Sequence, residues 1–345
     1  MKYILNESSV RTTNGFNINN VKIDLDVPNT YVFHDYKYNN INELIINDSI
    51  KENFSSKIGL SHDVYKDLTI TLGKCIKVEE LFDIKYEFDD NDNLIDNINI
   101  NLEENSKLNM ILRYDSLNNL NKNFHNGNLN ITLNKNSELN LTILNNISLE
   151  SVNMLSSCIN CYENSKLNIV LLDLKGNIRL YNFESKVYKN AKSNLDNIYI
   201  GKNNNLIDIN YNYINLEENS NSNIEIQGVL LDKAKKAFKG IIDFKRGSSN
   251  SIGRENENCL LLSEESISKS LPILLCEEEN VEGAHSVSSG KIDDNKLFYL
   301  MSRGISNIDA KKLIILANFE TILNKLPKPL DDDVRNMINE LVWFI

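Results

Sequence analysis

The sequence is short of proline, of basic clusters and of any long apolar run. Only 4 of its 345 residues are proline, and with 41% of the chain hydrophobic one sizeable core can be buried without a split into equal domains. One dominant body with smaller ends is the expectation. Lys and Arg number 37 against 48 Asp and Glu, a formal charge of −11, and no basic face gathers, which argues against a nucleic-acid partner. No window approaches the run of about 18 apolar residues that spans a bilayer. The opening MKYILNESSV has no secretory apolar region. A soluble cytoplasmic protein without membrane contact is expected. Five cysteines, Cys75, Cys158, Cys161, Cys259 and Cys276, form an odd set that fits reduced thiols better than a disulfide framework. Walker phosphate loop, strand-linked GxGxxG, HExxH and GxSxG are all missing.

What the sequence does contain is a repeated phrase. EENSKLNMIL begins at Glu103, NKNSELNLTIL at Asn134, YENSKLNIVLL at Tyr162, YKNAKSNLDNIYI at Tyr188 and EENSNSNIEI at Glu217. The turn asparagines Asn105, Asn136, Asn164, Asn190 and Asn219 recur at intervals of 31, 28, 26 and 29 residues. A period in the range of about 20 to 50 residues marks a solenoid or a propeller. Within each period Leu108, Met110 and Leu112, or Leu139, Leu141 and Ile143, alternate with polar residues, the period of a half-buried strand. No amphipathic helix separates the copies. Strand, polar turn and strand favour a β-solenoid whose coils bury a common core. Asparagine suits its turns because it tolerates left-handed backbone. Compositional bias in an ordinary β-sandwich is the competing explanation.

The ends differ. Residues 1–60 mix short strands and polar loops as an N-terminal segment, residues 61–292 form the solenoid core, and residues 293–345 form a helical subdomain. Leu297, Phe298, Leu300 and Met301 stand at helical spacing before Gly304, a usual terminator. Ser306, with Asp309 three residues on, reads as the N-cap of a second helix that ends before Pro327 and Pro329. LDDDVRNMINELVWFI makes a third helix with acids in its first turn. Its apolar exit, Leu341, Val342, Trp343, Phe344 and Ile345, either docks on the body or is offered to a partner.

Candidate chemistry is sparse. Asp90, Asp92, Asp96 and Asp243 would be the acids of a carbohydrate-active β-helix, but solvated turn acids explain them as well. Cys158 and Cys161 form a lone CxxC; three apart on a strand, they face opposite ways and make half a metal site at best. Cys75 and Cys276 sit beside apolar residues and read as core thiols.

Residues 260–319 carry a series of phrases: Pro272 to Leu274, the acidic Glu277 to Asn280, Ala284 to Ser286 around His285, Gly290 to Asp293, Leu297 to Tyr299, Ser302 to Gly304, and Ala310 to Phe319. In these phrases the stretch resembles the core domain of the SufB and SufD scaffold proteins of iron-sulfur cluster assembly. The resemblance implies a right-handed parallel β-helix with an N-terminal segment and C-terminal helices, in agreement with the solenoid and tail read from the repeats. It also implies a scaffold without chemistry of its own in the SUF system. A SufC-type ABC ATPase would dock on the C-terminal helices, and a second SufB or SufD type subunit would pair through the β-helix. Phe298, Ser302 and Arg303 become candidates for ATPase docking, although Leu297 and Phe298 could equally anchor the tail to its own body.

His285 falls on the histidine proposed as a cluster ligand in SufD-type chains, and neutral imidazole is a competent iron ligand. Gly283 stands where a cysteine often occurs, and Ser286 where SufB-type chains carry a glutamate. The SufB-type scaffold cysteine falls near Glu257, two residues from Cys259 on the same strand face, so Cys259 is the second candidate ligand, with a core thiol as its alternative. These departures place the chain closer to SufD. A transient iron-sulfur cluster, with none tightly bound, is the cofactor expectation; a glycan-binding or carbohydrate-active β-helix is the alternative function.

Overall fold

The computed structural model describes residues 1–12, 17–28, 36–120 and 122–342. Its strands open with a hairpin, β1 (Lys2–Leu5) and β2 (Val21–Asp24), followed by β3 (Lys37–Tyr38) and β4 (Leu44–Ser55). Two strands per coil follow. The first coils are β5 (Ser61–Leu72) with β6 (Lys77–Phe88), β7 (Asn93–Leu102) with β8 (Lys107–Ser116), and β9 (Phe124–Leu133) with β10 (Glu138–Asn146). The middle coils are β11 (Val152–Cys161) with β12 (Lys166–Asp173), β13 (Ile178–Val187) with β14 (Lys192–Gly201), and β15 (Leu206–Asn215) with β16 (Asn221–Leu230). β17 (Lys235–Phe244) with β18 (Ser251–Leu261), and β19 (Ile267–Cys276) with β20 (Val281–Gly290), complete the stack. Even-numbered strands from β6 to β20, with β3 at one end, make one nine-stranded sheet; odd-numbered strands from β5 to β19, with β4 at the end, make the other. From β5 to β20 every pairing is parallel, so the body is a parallel β-solenoid of eight coils. β3 and β4 pair antiparallel with β6 and β5 and close the N-terminal end.

The repeat works as its alternation requires. Leu108, Leu139 and Leu167 lie in register, as do Met110, Leu141 and Ile169, and all six are buried in the shared interior. Each such side chain contributes about 1.5–3 kcal/mol by leaving water. The five turn asparagines all adopt left-handed backbone, with φ between 57° and 61°. Their N–H groups bond to the next coil, as from Asn136 to the Glu163 carbonyl at 3.0 Å. Their side chains also form a ladder: Asn164 donates to Asn136 at 3.0 Å and Asn136 to Asn105 at 2.9 Å.

Left-handed backbone costs an ordinary L-residue about 1–2 kcal/mol, a cost that glycine escapes. Asn136→Ala is therefore expected to destabilise by roughly that amount plus the ladder bonds, and Asn136→Gly by less. Urea unfolding of the two variants compares them, and equal losses would remove the turn conformation as the cause.

Cys75 and Cys276 correct an expectation, since both are exposed rather than core thiols. Apolar neighbours along a strand or turn do not decide which way a side chain points. Cys75 has φ 61° and takes the place of the turn asparagine in the first coil, 3.9 Å from Asn105 Nδ2. Cys276 pairs in register with the buried Phe244, but no coil stacks above it.

Three helices follow the solenoid in the described residues: α1 (Asp294–Ser302), α2 (Asn307–Leu323) and α3 (Lys328–Leu341). Ser306 caps α2 as its sequence requires, accepting from the Asp309 N–H at 3.1 Å. Gly304, φ 88°, ends the turn after α1. α3 begins earlier than its acids suggest, with Pro329 inside the first turn, where no N–H partner is lost. Ile315, Phe319, Ile322, Leu330, Val334 and Ile338 bury against the outer face of the even sheet, in one cluster with Leu144, Leu172, Ile198, Ile200 and Val229. Lys325 and the buried Asp196 tie this hairpin to the sheet at 2.6 Å, and Arg335 of α3 grips Glu320 of α2 at 2.8 and 3.2 Å. Leu341 and Val342 dock on the body; Trp343, Phe344 and Ile345 lie outside the described residues. No helix among the described residues is long and apolar enough to cross a membrane.

Candidate functional site at the open end of the solenoid

Opposite the end closed by β3 and β4, the last coil, β19 and β20, has no coil above it among the described residues. Just beneath, β18 points Glu255, Glu257 and Cys259 inward at alternate positions, and all three are buried. Their register partners in β16 are Ile224 and Ile226, and two buried carboxyls in their place are a departure that ordinary core packing does not explain.

Glu257 is held. One oxygen accepts from the Tyr199 hydroxyl at 3.1 Å and from the Lys236 ammonium, and Lys236 also donates to Ser270 at 2.8 Å. Both Lys236 and Glu257 are fully buried. The other Glu257 oxygen has no hydrogen-bond partner. Cys259 lies in the same interior, and burial raises its thiol pKa against the pull of the Lys236 charge.

Glu255 is not held. Neither of its oxygens has a hydrogen-bond partner among the described residues. Burial, aided by the Glu257 charge, lifts its carboxyl to about 8. The carboxyl fills a hollow at Gly240 on the opposite wall, where an added Cβ would come within 2.3 Å of it.

His285 is the register partner of Glu255 across the β18–β20 ladder. Partners in a parallel ladder project to the same face, so the two residues leave neighbouring strands about 4.8 Å apart on one side of the sheet. The ring is exposed, and among the described residues it has no hydrogen bond or ion pair. Cys259 pairs with Ser289, four residues along from His285. At about 3.3 Å per residue this puts Cys259 roughly 13 Å from His285 along the strands, so the two candidate ligands are not brought together. Among the described residues no three His, Cys, Asp or Glu side chains converge as a metal site.

Phe298, Ser302 and Arg303 lie on or next to α1, none of whose residues is buried. Leu297 turns toward the body and lines a small cleft with Leu261 and Leu262. Phe298 turns out and is 73% exposed, beside the exposed Tyr299 and Met301. Arg303 lays its guanidinium 5.3 Å over the Tyr299 ring, and the Ser302 hydroxyl bonds to the Tyr299 carbonyl at 2.7 Å. Tyr299 and Met301 extend the apolar face beyond the docking candidates Phe298, Ser302 and Arg303; Met301, three residues from Phe298, already stood at helical spacing in the sequence.

The remaining candidates are absorbed into structure. Asp92 accepts from the Asp89 N–H in a turn at 2.6 Å, Asp96 bonds to His125 at 3.0 Å, and Asp243 pairs with Lys245 at 3.0 Å, five coils from Asp96. Cys158 is half-buried on the outer face, while Cys161 is in the core with its thiol pushed up to about 12 by burial.

Residues 87–318, more than half of the chain, match the family described as SUF system FeS cluster assembly, SufBD core domain. The chain belongs to the SufBD core family. SufD of Bacillus subtilis (strain 168) is 37% identical over 100 residues, covering 29% of this chain and 23% of that protein. SufB of the same bacterium is 28% identical over 127 residues, covering 36% and 27%. A SufBD family protein of Staphylococcus saprophyticus is 30% identical over 122 residues, covering 35% and 26%. The aligned regions thus span about a quarter of these relatives' lengths. SufBD membership supports a role in iron-sulfur cluster assembly and does not favour the carbohydrate alternative, whose acids are occupied in turns and ion pairs.

Proposed function

We propose that the chain is a non-catalytic scaffold subunit of the SUF assembly system. On this reading it pairs with a second SufB or SufD type subunit through the open end of the solenoid and binds a SufC-type ABC ATPase through its C-terminal helices. The transient cargo, iron or an iron-sulfur cluster, would be received at His285. The observation that carries the reading is the unfinished last coil. Among the described residues β19 and β20 each leave one edge without a strand partner, and such an edge beside His285 is a template for another chain.

The ATPase half rests on α1. Phe298, Tyr299 and Met301 hold apolar surface in water on a helix none of whose residues is fully buried, next to α2 and α3, which are docked on the body. Phe298→Asp is expected to leave thermal stability within about 0.5 kcal/mol of the parent, as for an exposed site. The same change is expected to abolish capture of a co-expressed SufC-type ATPase, read as complex mass by light scattering. No complex with the parent chain, or an undiminished complex with the variant, would overturn this reading of α1.

A further inference from the structure

Two rows of charge run up the same coils and follow opposite rules. In the turns before the even strands, Lys74, Glu104, Lys135, Glu163, Lys189 and Glu218 alternate in sign. Lys74 pairs with Glu104 at 3.4 Å, Lys135 with Glu163 at 2.7 Å and Lys189 with Glu218 at 2.6 Å. The first residues of the strands do not alternate. Lys77, Lys107, Glu138, Lys166 and Lys192 stand in register on the outer face of β6, β8, β10, β12 and β14. Lys77 lies directly opposite Lys107, and Lys166 opposite Lys192. Like charges directly opposite one another destabilise a sheet. Glu138 holds Lys107 at 2.9 Å, while Lys77, Lys166 and Lys192 have no ion pair among the described residues. A chain of formal charge −11 has acids to spare for such pairs, so folding alone does not account for the row.

A groove of about 550 Å³ lies beside it. Its floor is the next outward position of each strand, Asn109, Asn140, Asn168, Asn194 and Asn223, and Leu81, Val170 and Pro327 also line it. The amides form a ladder: Asn194 donates to Asn168 at 2.9 Å, Asn168 to Asn140 at 2.7 Å and Asn140 to Asn109 at 2.9 Å. Asn168 and Asn194 each keep a second N–H to give. The one acid lining the groove among the described residues, Asp196, is held by Lys325 at 2.6 Å. Ammonium and amide donors thus follow a strip about 19 Å long, four strand spacings of about 4.8 Å. An extended peptide covers that length in about six residues.

We infer that this strip docks an acidic, extended peptide segment of another protein, with its carboxylates on Lys77, Lys166 and Lys192 and its main chain along the asparagine ladder. A nucleic acid fits less well, because the acidic body around these few lysines repels a phosphate backbone. Neither α1 nor the last coil lines the groove, so this surface does not depend on the scaffold reading.

The test follows the anisotropy of a fluorescent peptide of about six residues, Glu and Ser alternating, with the full-length chain at low salt. Saturable binding that weakens as salt rises is expected. Lys166→Glu should weaken it about 10-fold. Lys235→Glu, the same change of charge at an exposed lysine on β17, should leave it unchanged. Lys192→Glu should weaken binding yet raise the thermal midpoint, since it turns the like-charged pair with Lys166 into an opposite one. A row that served only stability would not separate the two readouts in this way. No saturable binding by the parent, or equal losses in Lys166→Glu and Lys235→Glu, would overturn the inference. Equally tight binding of a single-stranded oligothymidylate of the same charge would make the strip a general polyanion surface and overturn the peptide reading.

Discussion

Lys236→Met is expected to cost about 3–5 kcal/mol, because it strands the Glu257 carboxylate in the interior without its cation. Lys236 and Glu257 are both fully buried, and the ammonium also bonds to Ser270 at 2.8 Å. Without it, Glu257 keeps only the Tyr199 hydroxyl, and its neighbour along the strand is another buried carboxyl, Glu255. The double variant Lys236→Met with Glu257→Leu removes both charges together. A buried ion pair replaced by apolar residues of similar size is often neutral or stabilising, so the double variant should recover most of the loss. Urea unfolding of the two singles and the double yields their coupling energy directly. If the double is no more stable than Lys236→Met, packing rather than stranded charge is the cause. The pair sits beneath the open end and braces β17 and β18 where the last coil must stand. A chain held together only by hydrophobic stacking would have no reason to keep a lysine there.

The solenoid was legible because its two signals agree in phase. The asparagines at 105, 136, 164, 190 and 219 mark the left-handed turns, and the alternating apolar residues after each mark the interior wall. Less legible was the second layer. The alternation breaks late in the strands, where Ile143 and Leu144, Leu171 and Leu172, and Ile198 to Ile200 are buried in succession. Such runs mean burial on both faces, which here is the docking ground of α2 and α3.

The open end was half legible. His285 and Cys259 could be named from the motif, but strand spacing alone does not say that one sits at the surface and the other in the core four residues away. Glu255 left a trace in Glu255, Glu257 and Cys259 at alternate positions, two carboxyls on the face that carries Ile224 and Ile226 in β16. The cysteines misled for the opposite reason. Cys75 and Cys276 have apolar neighbours, yet one occupies a turn and the other the uncovered coil, and only stacking decides exposure in a solenoid.

Phe319→Ala should have the largest effect among the helices, about 3–5 kcal/mol for a fully buried phenylalanine. Phe319 belongs to the cluster that joins α2 and α3 to Leu144, Leu172 and Ile198, a cluster separate from the solenoid interior. The loss should therefore fall on the docking of the hairpin and leave the coils in place, since stability is distributed over units that open separately. Amide hydrogen exchange distinguishes the outcomes: α2 and α3 should lose protection while β10 to β16 keep theirs. Equal loss in strands and helices would mean that the hairpin is part of one cooperative unit with the solenoid. No residue of α1 is fully buried, so the placing of its apolar face leans on α2, the helix next to it. If α1 is the docking face proposed for the ATPase, Phe319→Ala should weaken capture with a loss of stability, and Phe298→Asp should weaken it without one. That difference separates a residue that places the docking face from a residue that is the face.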